Sequence, residues 1–180
     1  DQPEGWACEL SQGVFFCQST TDPDKKEALA MSIATGATEW DTLDNYENYL
    51  KQTRTIPGEN GSTVTSKVTY VRRRNINGFV WVDSLQQNSE LPGFWARYLS
   101  TVQNQLAILI TYIVSEERYQ QLAPQFERMI SSLKPNKDFN LNVATKQGQV
   151  SLEGAEVLGA QKNILASRLK AKKPESLPAE

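Results

Sequence analysis

The side chains that most often carry out acid–base, nucleophilic or metal chemistry are few in this chain. It has 180 residues, two cysteines and no histidine. Without histidine, Ser-His-Asp and Cys-His catalysis are excluded, and the commonest metal ligand is missing. The carboxylates of Glu116, Glu117 and Asp83 could form an acid–base pair, but two acids at a helix start and one exposed strand residue are the simpler interpretation. The sequence therefore predicts a protein that is not an enzyme, with no catalytic residues, no metal and no cofactor.

The two cysteines, Cys8 and Cys17, flank a segment that can form a β-hairpin. With Gln12 and Gly13 as a two-residue turn, the cysteines face each other in a non-hydrogen-bonded pair, where Cα atoms are about 4.5 Å apart. This distance suits a disulfide, which accepts Cα separations of about 4.4–6.8 Å. The alternative is a pair of unrelated reduced cysteines in a cytosolic protein. The spacing is not the Cys-x-x-Cys of redox sites.

The compartment is predicted from that pairing and from the start of the chain. Structural disulfides persist in oxidising compartments. The chain starts at the polar Asp1 without methionine, as a cleaved secretory precursor would, although a chain trimmed at this point would start in the same way. We therefore expect a periplasmic or secreted protein.

Net charge and hydropathy limit the partners. A net charge of −2 gives no general attraction to nucleic acid or to an anionic membrane. The longest apolar run, residues 106–114, is much shorter than the roughly 20 residues that cross a bilayer. The sequence therefore predicts no nucleic-acid partner and no transmembrane segment.

Two groups of side chains could bind a partner or a ligand. Arg72, Arg73 and Arg74 form a dense basic cluster that could dock an acidic partner or a phosphate, although outward-pointing arginines at a solvated strand end are the simpler interpretation. An aromatic group could line a pocket for an apolar ligand, or could pack in the core and across strands. This second group comprises Trp81, Phe94, Trp95 and Tyr98.

Hydrophobic periodicity predicts the elements that position these residues. A helix is expected over residues 42–53, with Asp41 as its N-cap. Alternation predicts strands over residues 28–34, 64–70, 79–85 and 94–102. The segment 106–114 is apolar on both strand faces, which predicts a central strand covered on both sides. Ser115 starts a closing helix, whose apolar stripe should bury against this strand: Tyr119, Leu122, Phe126, Ile130 and Leu133.

The composition changes after residue 135. Residues 1–135 are predicted to form a globular α+β domain, 136–150 a polar linker, and 151–180 an amphipathic or disordered C-terminal extension. Leu158, Leu165 and Leu169 lie roughly on one helical stripe and are candidate anchors for a partner. We expect residues 151–173 to be dispensable for folding but needed for association with another protein or a second copy. Disorder is the alternative.

The order strand, helix, four antiparallel strands and closing helix resembles the PsbP-like fold. The best local matches are residues 106–112 (Leu-Ala-Ile-Leu-Ile-Thr-Tyr), Tyr119 and residues 129–133 (Met-Ile-Ser-Ser-Leu). The resemblance implies an antiparallel sheet packed by two helices, in a mostly non-enzymatic scaffold that binds partner proteins. It carries over no catalytic residues. The disulfide hairpin and the extended C-terminal tail are departures from it.

Together these observations predict a non-catalytic, exported protein-interaction subunit of an envelope-associated assembly. The alternative is a binding module for an apolar small molecule or a lipid, with its pocket between the sheet and the closing helix.

Overall fold

The computed structural model describes residues 5–11, 14–24, 26–35, 39–103 and 106–134. The strands within these ranges are β1 (Trp6–Ser11), β2 (Val14–Ser19), β3 (Glu27–Thr35), β4 (Thr55–Pro57), β5 (Thr63–Thr65), β6 (Lys67–Ile76), β7 (Phe79–Gln87), β8 (Phe94–Gln103) and β9 (Leu106–Ser115). The helices are α1 (Leu43–Leu50) and α2 (Glu116–Ser131). The predicted linker and extension, with Leu158, Leu165 and Leu169, lie outside the described residues.

One antiparallel sheet organises the fold. Seven of the described strands join in the order β1-β2-β3-β9-β8-β7-β6, while β4 pairs with β5. Helix α1 contributes Tyr46 and Leu50 to the core on one face of the sheet. Helix α2 contributes Phe126 and Ile130 to the core on the other face. All of β9 is buried between these two cores, which confirms both the α+β fold and the central position predicted for residues 106–114.

The N-terminal hairpin extends this sheet. Strand β2 pairs with β3, and β1 forms the outer edge. Cys8 lies opposite Cys17 in the β1–β2 register, with their Cα atoms 4.0 Å apart, and the two residues form a disulfide. The pairing deduced from the hairpin register is therefore confirmed.

The disulfide is directly testable. Intact-mass measurement of natively produced protein, alkylated under non-reducing denaturing conditions, should show no labelled thiol, because the chain has two cysteines and both are bonded. Two labelled thiols would contradict the bond and, with it, the argument for an oxidising compartment.

Helix α1 begins one residue later than predicted. The hydroxyl of Thr42 accepts a hydrogen bond from the backbone N–H of Asn45 at 3.1 Å, so Thr42 is the N-cap. Asp41 is buried and accepts a hydrogen bond from the Tyr46 hydroxyl at 2.7 Å. The prediction of Asp41 as the N-cap is therefore wrong, because this carboxylate has a side-chain partner in the core.

Helix α2 packs as its stripe predicts. Phe126 and Ile130 are buried, and the Phe126 ring stacks on Tyr112 of β9 with a centroid separation of 4.0 Å. Tyr119, Leu122 and Leu133 pack against the same core at its margin. Along the described ranges, neither helix is long and apolar enough to cross a membrane.

Candidate functional site

An open apolar groove of about 510 Å³ lies between the N-terminal hairpin, the sheet and the C-terminal half of α2. The hairpin contributes Leu10 and Phe15, β3 contributes Met31, and α2 contributes Met129. The two methionines of the chain therefore both line this groove. Because the methionine thioether is flexible and polarisable, it suits a surface that adapts to its ligand. We call this feature the apolar groove.

The strand register builds the floor of the apolar groove. Leu10 lies opposite Phe15, and Phe15 lies opposite Met31. The same row continues from Met31 to Ile110 of β9 and then to Leu99 of β8. Directly opposed residues share one face of a sheet, so these side chains form a continuous apolar row across five strands.

The width of the sheet explains why this row is partly open. Seven strands at a spacing of about 4.8 Å span roughly 29 Å, whereas one helix with its side chains is only about 10–12 Å wide. Helix α2 packs over β9 and β8, where Leu99 and Ile110 are buried. At the hairpin end, Leu10 is 55% exposed and Phe15 is 37% exposed. The uncovered apolar surface thus follows from the geometry of one helix on a wide sheet.

The groove has few polar groups. Among the described residues that line it, Glu9 and Ser132 are the polar ones, and the Cys8–Cys17 disulfide forms part of the wall. Such a lining offers apolar contact surface and little that could hold a metal ion or orient a reactive group. Elsewhere in the described part of the chain, no cluster of acidic or cysteine side chains suited to a metal ion is found.

A buried ion-pair network fixes α2 against the sheet. Asp83 of β7 is fully buried and accepts two hydrogen bonds of 2.9 Å from Arg97 of β8. Arg97 also donates to Glu127 of α2 at 2.5 Å, and Arg74 donates to the same carboxylate at 3.0 Å. Burial tends to raise the pKa of Glu127, but the hydrogen bonds from both arginines outweigh it and hold the pKa below its usual value. The network therefore ties the wall of the apolar groove to its floor.

A second tie holds the C-terminal end of α2. The turn between β6 and β7 places Asn77 at a positive φ of 51°, a conformation that asparagine adopts more readily than most residues. The Asn77 side-chain amide donates hydrogen bonds to the carbonyls of Ser131 at 2.9 Å and Leu133 at 2.7 Å. Leu133 is thereby fixed at the groove, where the described chain ends.

The three consecutive arginines have different partners. Arg72 pairs with Asp83 at 3.2 Å and Arg74 pairs with Glu127, both on the α2 side of the sheet. Arg73 points to the other side, where it pairs with Glu47 of α1 at 2.9 Å and with Asp44. This alternation ties both helices to the edge strand β6. A docking role for these arginines stays a prediction.

The four aromatic candidates lie on two faces of the sheet. Trp81 and Trp95 belong to the core under α2, where Trp95 stacks on Tyr119 at 4.8 Å. Phe94 and Tyr98 belong to the core under α1. Neighbouring strand residues point to opposite faces, so Phe94 and Trp95 cannot share a pocket. None of the four lines the apolar groove.

The three carboxylates considered for acid–base chemistry have separate partners. Asp83 belongs to the Arg97 network, Glu116 accepts a hydrogen bond from Gln87 at 2.8 Å, and Glu117 pairs with Lys26. The interpretation of Asp83 as an exposed strand residue is wrong, because α2 and the arginines of β6 and β8 cover it.

The comparisons with known proteins give a likeness of fold. No family model matches the chain, and no curated protein matches it. Among solved structures, the chain is similar to the cyanobacterial PsbP of Synechocystis sp. PCC 6803, with 13% identity, a TM-score of 0.49, and coverage of 73% of this chain and 81% of that one. It is also similar to a Pseudomonas aeruginosa protein of unknown function, with 17% identity, a TM-score of 0.49, and coverage of 71% of this chain and 86% of that one.

A PsbP is thus among the similar structures, as the resemblance in the sequence predicts. The likeness concerns the fold alone, and no argument about activity, ligand or partner rests on it.

Proposed function

We propose that this chain is a non-catalytic binding module whose apolar groove accepts an amphipathic segment of a protein. The observation that carries the proposal is the row of opposed apolar side chains that is open at its Leu10 and Phe15 end. Exposed apolar patches on folded proteins mark interaction sites, because leaving them in water is unfavourable.

The shape of the groove favours a peptide segment. One wall is a helix, the floor is a sheet, and the hairpin side is open, so a second helix can lie beside α2 with its apolar face inward. Amphipathic helices use this mode of binding, with anchors spaced three, four and seven residues apart. Met31 of the floor and Met129 of the helix wall both line the groove, which gives it side chains that can adjust to such anchors.

A small apolar molecule is the second candidate ligand. The observation in its favour is the volume of about 510 Å³, which lies within the range of about 300–1,000 Å³ for small-molecule pockets. A small apolar molecule would make the same contacts as the apolar face of a peptide, so the experiment needs one probe of each kind.

We further propose that the chain is exported and works in an envelope-associated assembly. The Cys8–Cys17 disulfide supports the oxidising compartment. A module that binds a protein segment without chemistry of its own suits a subunit of such an assembly.

The test is a titration of the full chain carrying ¹³C-methyl methionine. Both methionine signals report on the groove, because Met31 and Met129 both line it. One probe is a synthetic amphipathic peptide with leucines on one helical face and lysine, glutamine and alanine elsewhere; the other is monomeric lauric acid. The peptide should shift both signals.

The Leu10→Asp variant should weaken peptide binding at least about tenfold, because it removes roughly 1.5–3 kcal/mol of apolar contact and places a charge on the floor. Val80→Asp is the matched control, since Val80 is 38% exposed but does not line the groove. Shifts caused by lauric acid alone would favour the second candidate. Methionine signals indifferent to both probes, in the full chain and in its Leu158→Asp/Leu165→Asp variant, would overturn the proposal.

A further inference from the structure

We infer that the resident occupant of the apolar groove is the chain's own C-terminal segment, residues 151–173, bound within the same molecule. This inference rests on the proposed function, since it names the protein segment that the groove binds. In this arrangement the segment is an internal competitor that any external partner must displace.

The described part of the chain ends beside the groove. Asn77 holds the backbone of Leu133 at the C-terminal end of α2, and Leu133 itself lines the groove. The remaining residues therefore depart from the groove itself. A chain that leaves from a binding site has the site within reach at every moment.

The chain beyond that point is long enough to return to the groove. Leu158 follows Leu133 by 25 residues in the sequence. A random coil of that length has a root-mean-square span of roughly 25–30 Å, comparable to the width of the sheet. The effective concentration of a segment tethered in this way is on the order of millimolar. Even a weak affinity for the groove is then enough to keep it filled.

The leucine pattern of the segment suits the groove. Leu158, Leu165 and Leu169 are seven and four residues apart, which places them on one face of a helix. A helix spanning them would present anchors over roughly 16 Å. These are the anchors that a groove beside α2 would accept, whereas the segment has too few apolar residues to form a core of its own.

Internal occupancy makes external binding conditional. A partner must either outcompete residues 151–173 or bind them and so vacate the groove. The apparent affinity of an external peptide equals its intrinsic affinity multiplied by the fraction of molecules with an empty groove. Leu158→Asp/Leu165→Asp should therefore tighten binding of the synthetic amphipathic peptide at least about tenfold.

Paramagnetic broadening in the full chain tests the inference. Because both native cysteines are bonded, Ser167→Cys supplies a single thiol for a nitroxide label beside Leu165 and Leu169. The label should broaden both methionine methyl signals. Adding Leu158→Asp/Leu165→Asp should restore them, whereas the control Leu177→Asp, which lies beyond the segment, should leave them broadened.

A mixture of nitroxide-labelled chain and methionine-labelled chain separates the two possible sources of the segment. The inference expects no broadening in this mixture. Broadening there would assign the segment to a second copy and overturn intramolecular binding. Unbroadened methionine signals in the chain that carries both the nitroxide and the methionine label would overturn the inference. The proposed function would remain intact if the synthetic peptide still shifts both methionine signals in the Leu158→Asp/Leu165→Asp chain. If the peptide fails there as well, the proposed function fails too.

Discussion

Asp83→Asn should lower the free energy of unfolding by about 3–5 kcal/mol, the usual cost of breaking a buried ion pair from one side. Asp83 is fully buried and holds the guanidinium of Arg97 through two hydrogen bonds, and the Arg97 side chain is itself only 6% exposed. An amide carries no charge and can accept through one oxygen only, so Arg97 loses its fully buried counter-charge and keeps only that of Glu127, whose side chain is 43% exposed. Urea unfolding monitored by tryptophan fluorescence measures the loss.

Two variants separate the charge from the packing. Asp83→Leu combined with Arg97→Met removes both charges and should recover most of the lost stability, since apolar pairs often replace buried ion pairs without cost. Arg72→Gln removes a partner of Asp83 whose side chain is 55% exposed, and should cost less than about 1 kcal/mol. A cost of less than about 1 kcal/mol for Asp83→Asn itself would show that the carboxylate is solvated.

Phe126→Ala should cost about 3–5 kcal/mol of stability, because the ring is buried between α2 and β9 and its removal leaves a cavity. The ring stacks on Tyr112, and the guanidinium carbon of Arg97 lies 5.5 Å from its centroid. Thermal and urea unfolding both measure the loss. The same change also enlarges the apolar groove, because Phe126 lines it.

Phe15→Ala is the matched control for this prediction. Phe15 lines the same groove but is 37% exposed, so truncation should cost less stability than at Phe126 while weakening peptide binding. Equal losses at the two positions, or a loss under about 1 kcal/mol at Phe126, would contradict the docking of α2 on β9.

Local patterns predict much of this fold. The hairpin register predicts that Cys8 faces Cys17, because opposed positions follow from the turn by counting alone. Residues 106–114 predict a central strand because both faces are apolar, and only a strand covered on both sides tolerates that. The stripe containing Phe126 and Ile130 predicts the buried face of α2, because helical periodicity fixes which residues share a side.

What the sequence does not predict depends on which element covers which surface. The strand period places Asp83 on the same face as Trp81, but only the position of α2 and of Arg97 decides whether that face meets water. The role of Asp41 also depends on packing. Its carboxylate accepts a hydrogen bond from the core residue Tyr46 instead of capping the helix.

The opening of the apolar groove also depends on which element covers which surface. The hairpin register already sets Leu10 opposite Phe15, and two facing large apolar side chains on an outer hairpin are a usable signal. Whether they are covered depends on how far α2 reaches across a sheet of seven strands, which no local pattern states. The aromatic residues of β8 are more conspicuous in the sequence, but alternation divides Phe94 and Trp95 between the two cores.

The central claim, that the apolar groove is the binding surface, is tested most directly by intermolecular nuclear Overhauser effects. The measurement uses the full chain with ¹³C-methyl methionine and the synthetic amphipathic peptide. Apart from the methionine methyl groups, the only protons observed are those of the peptide's leucine methyl groups. Binding in the groove predicts cross-peaks from the peptide leucines to the methyl groups of both Met31 and Met129, and their loss in Leu10→Asp. A bound peptide whose leucines show no cross-peak to either methionine would place the binding surface elsewhere and contradict the account.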